Sequence, residues 1–116
     1  MANSVNTPTV VRGTNQFQGA FNEMWEVTVT ITDQDAVALT DTARFSVTVP
    51  GVALGDMIIG FSITNDLSDG TDQCVFIPYI TAANTLTLQV TADAGQYAAD
   101  DLNNAVVKVL IGRPAW

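Results

Sequence analysis

Hydrophobic and polar residues alternate along most of this chain, with the period of two that belongs to a half-buried β-strand. Trp25, Val27, Val29 and Ile31 fall on one face, while Glu26, Thr28, Thr30 and Thr32 fall on the other. Asp33-Gln34-Asp35 then supplies a turn. Thr42–Val49 repeats the pattern, with Ala43, Phe45, Val47 and Val49 inward and Thr42, Arg44, Ser46 and Thr48 outward, until Pro50-Gly51 ends it. These two strands are expected to pair. Thr85–Thr91 alternates again, with Leu86, Leu88 and Val90 inward, and Asn104–Ile111 closes the chain as a strand with Lys108 on its outer side.

Two segments depart from strict alternation. Met57–Ile63 is almost continuously apolar and predicts a central strand, with Gly60 marking a bulge or a close approach by another backbone. Gln73–Ile80 is apolar on both faces but holds Pro78, which has no N–H to give a ladder and so belongs at an edge, a bulge or a strand end. Short strand candidates lie near Asp35–Leu39 and Gln96–Ala99, and Ala98–Leu102 has the pattern of a single helical turn. Strands separated by turn signals at roughly ten-residue spacing predict an all-β fold, a single-domain antiparallel β-sandwich or jelly roll. Its expected core is Trp25, Val27, Val29, Ile31, Phe45, Val47, Phe61, Leu86, Leu88, Val90, Val107 and Val109.

Ahead of the domain, taken as residues 23–116, residues 1–22 read as an extended N-terminal arm, rich in Asn, Thr, Gln and Gly with isolated apolar positions. Ordering such a segment costs roughly 1–2 kcal/mol per residue in backbone entropy, which a few apolar contacts offset poorly. The arm is therefore expected to lie against a neighbouring subunit or a larger assembly, with Val10, Val11, Phe17 and Phe21 as anchors; an arm folded back on its own domain, its backbone paired with a sheet edge, is the alternative. Trp116, beyond the last strand after Arg113-Pro114-Ala115, is a further interface candidate, because Trp is enriched in binding hot spots. Packing against its own domain is the alternative.

Composition narrows the function. The 116 residues carry a formal net charge of -8, and Arg12, Arg44, Lys108 and Arg113 are scattered, so neither nucleic acid nor an anionic membrane surface is expected as a partner. No apolar run approaches the roughly 20 residues of a spanning helix. Met1–Asn6 lacks the basic and apolar regions of a secretory signal, which predicts a chain that stays in the cell that made it or leaves by another route, such as a virion. Cys74 is the only cysteine, so no intramolecular disulfide forms; beside Val75 and Phe76 it reads as a buried structural thiol, suited to a reducing cytoplasm.

There is no His, and catalysis would rest on carboxylates, Ser, Thr and Tyr. Asp100-Asp101 and the pair Glu23 and Glu26 have odd separations that turn the carboxylates to opposite faces of an extended chain, so neither is the converging pair of a glycosidase. No enzyme activity and no cofactor are expected. Asp66, Asp69 and Asp72 form a calcium candidate on the acidic loop 65–72, but the spacing departs from an EF-hand and a solvated loop explains the same residues, so no metal is assigned. Trp25, Tyr79, Tyr97 and Trp116 are the candidates for a sugar-stacking platform, against which the core phase of Trp25 argues. Only 14% of residues are charged, below the roughly 25% usual for soluble domains, which predicts self-association.

The order Gly51-Val52-Ala53-Leu54-Gly55-Asp56-Met57-Ile58-Ile59-Gly60, then Tyr79-Ile80-Thr81-Ala82-Ala83-Asn84-Thr85-Leu86-Thr87-Leu88, then Ala105-Val106-Val107-Lys108-Val109-Leu110-Ile111 resembles the β-sandwich capsid decoration, or cement, proteins of tailed bacteriophages. The resemblance covers roughly residues 50 to 112 and rests mostly on turn chemistry, and Ala92-Asp93-Ala94-Gly95 stands where an Asn-x-Thr-Gly-like turn often follows. It implies a structural protein of the virion, made in the host cytoplasm, that sits on the capsid exterior, commonly as a homotrimer, and clamps the major capsid protein. A tail, baseplate or fibre module and a carbohydrate-binding β-sandwich are the rival readings.

Overall fold

The computed structural model describes residues 3–13, 20–34, 42–64, 68–69, 72–94 and 102–115, with the backbone alone described at 68–69, 72–74 and 92–94. Within them the strands are β1 (Ser4–Val5), β2 (Thr9–Gly13), β3 (Phe21–Asp33), β4 (Thr42–Thr48), β5 (Met57–Ile63), β6 (Ser68–Asp69), β7 (Asp72–Ala82), β8 (Thr85–Ala94) and β9 (Val106–Pro114). One sheet has the order β1-β3-β9-β5, with β2 also on β3, and the other has the order β4-β8-β7-β6. Every pairing is antiparallel, and the two sheets form a β-sandwich.

The core follows from the two-residue period. On β3, Trp25, Val27 and Val29 stand opposite Ile111, Val109 and Val107 of β9, while Phe45 and Val47 of β4 stand opposite Leu88 and Leu86 of β8. All ten are at most 2% exposed. Burying each such side chain is worth roughly 1.5–3 kcal/mol, which is what selects this register over one slipped by a residue. The threonine faces of β3 and β4 point outward, and at the far end the buried Gln34 accepts the Leu102 N–H through Oε1 at 2.9 Å, so its burial leaves that acceptor satisfied.

The structure departs from the sequence expectations in three places. First, β3 and β4 do not pair; they lie in different sheets and share one core from opposite sides. Periodicity states which face of a strand is buried, not which strand is its neighbour. Second, β5 is the last strand of its sheet rather than a central one. The bulge expected at Gly60 is present, as a register shift between Ile58 and Gly60. Phe61 stands opposite Val109, in phase with the core, yet it is 45% exposed, because β5 forms the flank of the sandwich and Phe61 meets the second sheet only through a tilted contact with Phe76, ring centroids 5.4 Å apart.

Third, much of the expected arm is strand of the same domain. Residues 4–13 run antiparallel along the outer edge of β3, from Ser4 opposite Asp33 to Gly13 opposite Met24. Asn6 bridges the gap between β1 and β2: its N–H donates to Thr30 O at 2.9 Å, and its Oδ1 accepts the Thr30 N–H at 2.7 Å. Backbone hydrogen bonds thus supply what the few apolar side chains do not, and the ordering cost is met within the chain. Pro78 fits its expected place, since β7 is paired on its outer side only at residues 72–73, by β6. The strand candidates at 35–39 and 96–99 and the Cys74 side chain lie outside the described residues, as does the helical turn at 98–102 except for Leu102, which is a buried turn residue.

Candidate functional site

Among the described residues, a dense polar construction closes one end of the sandwich, where the loop Val49–Asp56 crosses from β4 to β5. Gly51 and Gly55 have φ of 96° and 99°, a region that glycine enters without steric cost. An added Cβ at Gly51 would also stand 2.5 Å from the Arg12 guanidinium. Asp56 folds the loop back on itself: its Oδ2 accepts the Ala53 N–H at 2.8 Å, and its own N–H donates to Ala53 O at 3.1 Å. Val52 is buried, which leaves Leu54 at the turned tip, 71% exposed.

Two neighbouring elements brace this loop. The β7–β8 turn presents Asn84, itself at φ 62°, whose Oδ1 accepts the Gly51 N–H at 2.8 Å, while its backbone N–H donates to Val52 O at 2.7 Å and its carbonyl accepts the Val49 N–H at 2.9 Å. From β9, Arg113 makes a two-pronged bond to Asp56, Nε to Oδ1 at 3.0 Å and Nη2 to Oδ2 at 2.9 Å, and Nη2 also donates to Gly51 O at 2.8 Å. The Asp56 side chain is 4% exposed and that of Arg113 34%. The Asp56 hydrogen bond raises the Arg113 guanidinium above its ordinary value; burial opposes it, and the charges of Asp56 and then Glu23 add to the rise.

Beneath the loop, Trp25 donates its indole N–H to Pro50 O at 3.1 Å. The guanidiniums of Arg12 and Arg113 each lie 5.2 Å from the centre of its ring, within cation–π range. Glu23 Oε2 accepts from Arg12 Nε at 2.9 Å and Nη2 at 2.7 Å, and Arg113 Nη1 lies 4.0 Å away. Two of the four cations of the chain are thereby spent on a structural clasp that fixes β2, β3, β9 and the loop together. The arrangement presents Leu54 as an apolar knob on a braced support.

Elsewhere five apolar side chains of β5 and β7 are 38–46% exposed: Met57 and Ile59 on the outer face of the first sheet, Phe61 at the flank, and Val75 and Ile77 on the outer face of the second sheet. A groove of about 460 Å³ lies along the first sheet, its lining including Glu26, Thr28, Gly60, Ser62, Lys108 and Leu110. A Cβ at Gly60 would meet nothing within 4 Å.

The expected site residues do not gather into one patch. Val10 is half-buried against the core of its own chain, so it is not free to anchor a partner, whereas Val11 is 58% exposed. Phe21 packs over Gly112 together with Ile59, where an added Cβ would come within 2.6 Å and 2.8 Å of their rims. Phe17, Trp116 and Asp66 lie outside the described residues, and the side chains of Asp69 and Asp72 are not described. Among the described residues no group of three or more metal-binding side chains converges. Trp25 is buried, and Tyr79 is half-buried with its hydroxyl bonded to Arg44 Nε at 3.3 Å and Gln89 Oε1 at 3.2 Å. Sequence reasoning missed Leu54 and the clasp. The Gly-x-x-x-Gly-Asp spacing was the available signal for the turn, but nothing in it pointed to Arg12, Glu23 or Arg113.

No family model matches the chain, and no curated protein matches it. Among solved structures the chain is similar to a CBM3a-L domain with flanking linkers from scaffoldin cipA of the cellulosome of Clostridium thermocellum, at 18% identity over 92% of this chain and 68% of that one, with a TM-score of 0.29. A likeness at that level carries no inference about ligand or site.

Proposed function

We propose that the protein is a structural component of a phage virion that docks on the outside of the capsid and stabilises the shell. The observation that carries this reading is Leu54, 71% exposed at the tip of a loop held by Asn84, Asp56 and Arg113. A side chain presented on a rigid support loses little conformational freedom on binding, and that preorganisation favours affinity. The loop is also where the sequence resemblance to cement proteins begins, at Gly51–Gly60.

In this reading the partner is the major capsid protein. A protein that binds the assembled lattice and not its free subunits stabilises the lattice by RT ln(1 + [L]/Kd), about 2.7 kcal/mol per site at a hundredfold excess over Kd. Repeated over the shell, that resists internal DNA pressure. The test is addition of purified Leu54→Ser protein to shells assembled without this component. The variant keeps its melting temperature and loses most of its binding; binding equal to the unsubstituted protein rejects the loop as the docking element.

A further inference from the structure

Among the described residues no strand pairs with the outer edge of β5. Thr64 donates its N–H to Val106 O at 3.1 Å, which sets the phase of the β5–β9 ladder. Bonded and non-bonded pairs alternate in an antiparallel ladder, so Ser62 opposite Lys108 exchanges bonds with β9, while Phe61 and Ile63, opposite Val109 and Val107, turn their N–H and C=O groups away from it. Proteins guard such edges with charge, proline, bulges or a covering element. The other outer strands carry such guards: the two-residue length of β1, Arg12 on β2, Arg44 on β4, and Pro78 and the short β6 on β7. Met57–Ile63 contains neither a charge nor a proline, and its bulge ends at Gly60, which leaves Gly60–Ile63 regular and open.

We infer that this edge is the interface for a second copy of the chain, with β5 pairing antiparallel to its own counterpart about a two-fold axis. Charge favours that occupant. Each chain carries -8, yet the described side chains of β5 are uncharged, so two copies of this strand meet without setting like charges directly opposite each other.

The surface fits as well: pairing covers Phe61, 45% exposed at the flank, and the main-chain edge of Gly60–Ile63, so backbone bonds rather than a broad apolar patch lead the contact. Pairing Phe61 with Ile63 of the second copy, and the reverse, satisfies the free groups of both strands and brings the two Ser62 residues to the axis. Such an interface is isologous and closes on itself rather than propagating. It does not depend on docking through Leu54. A cyclic trimer would instead set β5 against a different edge of the next copy.

The test is sedimentation of the full chain from micromolar to millimolar concentration, with amide hydrogen exchange followed by NMR. The mass rises from 12.3 kDa to twice that value, and the Phe61 and Ile63 amides become protected as concentration increases. Ser62→Glu, whose carboxylate stands beside Lys108 in its own chain but opposite its twin at the axis, folds and associates on the order of tenfold or more weakly. Leu54→Ser associates like the unsubstituted protein, which separates this interface from the proposed docking loop. A single-chain mass throughout, a three-chain mass, or Phe61 and Ile63 amides that exchange equally fast at both ends of the range overturns the inference. Should Ser62→Glu fail to fold, the amide exchange of the unsubstituted chain decides alone.

Discussion

Arg113→Met tests whether the loop that carries Leu54 is braced in the way its geometry indicates. Methionine keeps an apolar stem over Trp25 but removes the two bonds to Asp56 and the bond to Gly51 O. The Asp56 carboxylate, 4% exposed, is then left with the Ala53 N–H and no cation. Breaking a fully buried ion pair by removing one partner costs about 3–5 kcal/mol, whereas an exposed pair is worth about 0–1. Arg113 is 34% exposed, so solvent screens part of the effect, and a loss of about 2 kcal/mol is expected. For a domain of this size that lowers the melting temperature by about 8 °C, read by calorimetry.

A double-mutant cycle sharpens the reading of that loss. Adding Asp56→Ala to Arg113→Met removes the stranded carboxylate, so the double variant loses less stability than the sum of the two single variants, with a coupling of about 1 kcal/mol or more. An Arg113→Met protein that melts within about 2 °C of the unsubstituted one, or a cycle with no coupling, refutes the brace.

Three further outcomes follow from the same structure. Gly51→Ala places a side chain at φ 96° and against the Arg12 guanidinium, and is expected to cost about 1–2 kcal/mol in a denaturant titration, mostly as a shift of midpoint at constant slope. Phe45→Ala opens a cavity in a fully buried position and costs about 3–5 kcal/mol by the same measurement, against less than about 1 kcal/mol for Val11→Ala on the surface. Removing residues 1–13 strips the ladder from the outer edge of β3 together with Val5, Val10 and Arg12, and is expected to lower the melting temperature and expose the Glu26, Thr28 and Thr30 amides to hydrogen exchange; an unchanged melt would mean that β1 and β2 contribute nothing in solution.

Much of this fold was legible from alternation alone. The faces of β3, β4 and β8 could be assigned residue by residue, because one side of each strand is covered by the other sheet and the other side meets water. Adjacency was not legible: Val-Thr repeats on β3 and β4 are equally compatible with side-by-side pairing and with packing across a core. The uncharged run of β5 read as a central strand because apolar residues on both faces usually mean cover on both faces; here part of that surface lies open on a flank, which is the basis for assigning it a partner. β1 and β2 were hidden for the opposite reason, since backbone hydrogen bonds hold them and these leave no mark in side-chain pattern. The clasp joins residues 12, 23, 25, 56 and 113, and no local rule connects positions so far apart. Arg12 and Arg113, scattered cations in the sequence, become the two faces of one stacked arrangement around Trp25.

The proposed role is tested most directly by the copy number of this chain in purified tailed particles that encode it, measured by quantitative mass spectrometry against the major capsid and tail proteins. A shell-bound cement protein is present in fixed proportion to the major capsid protein and is released with shell fragments. Absence from the particle, or a copy number that follows the tail proteins instead, contradicts it.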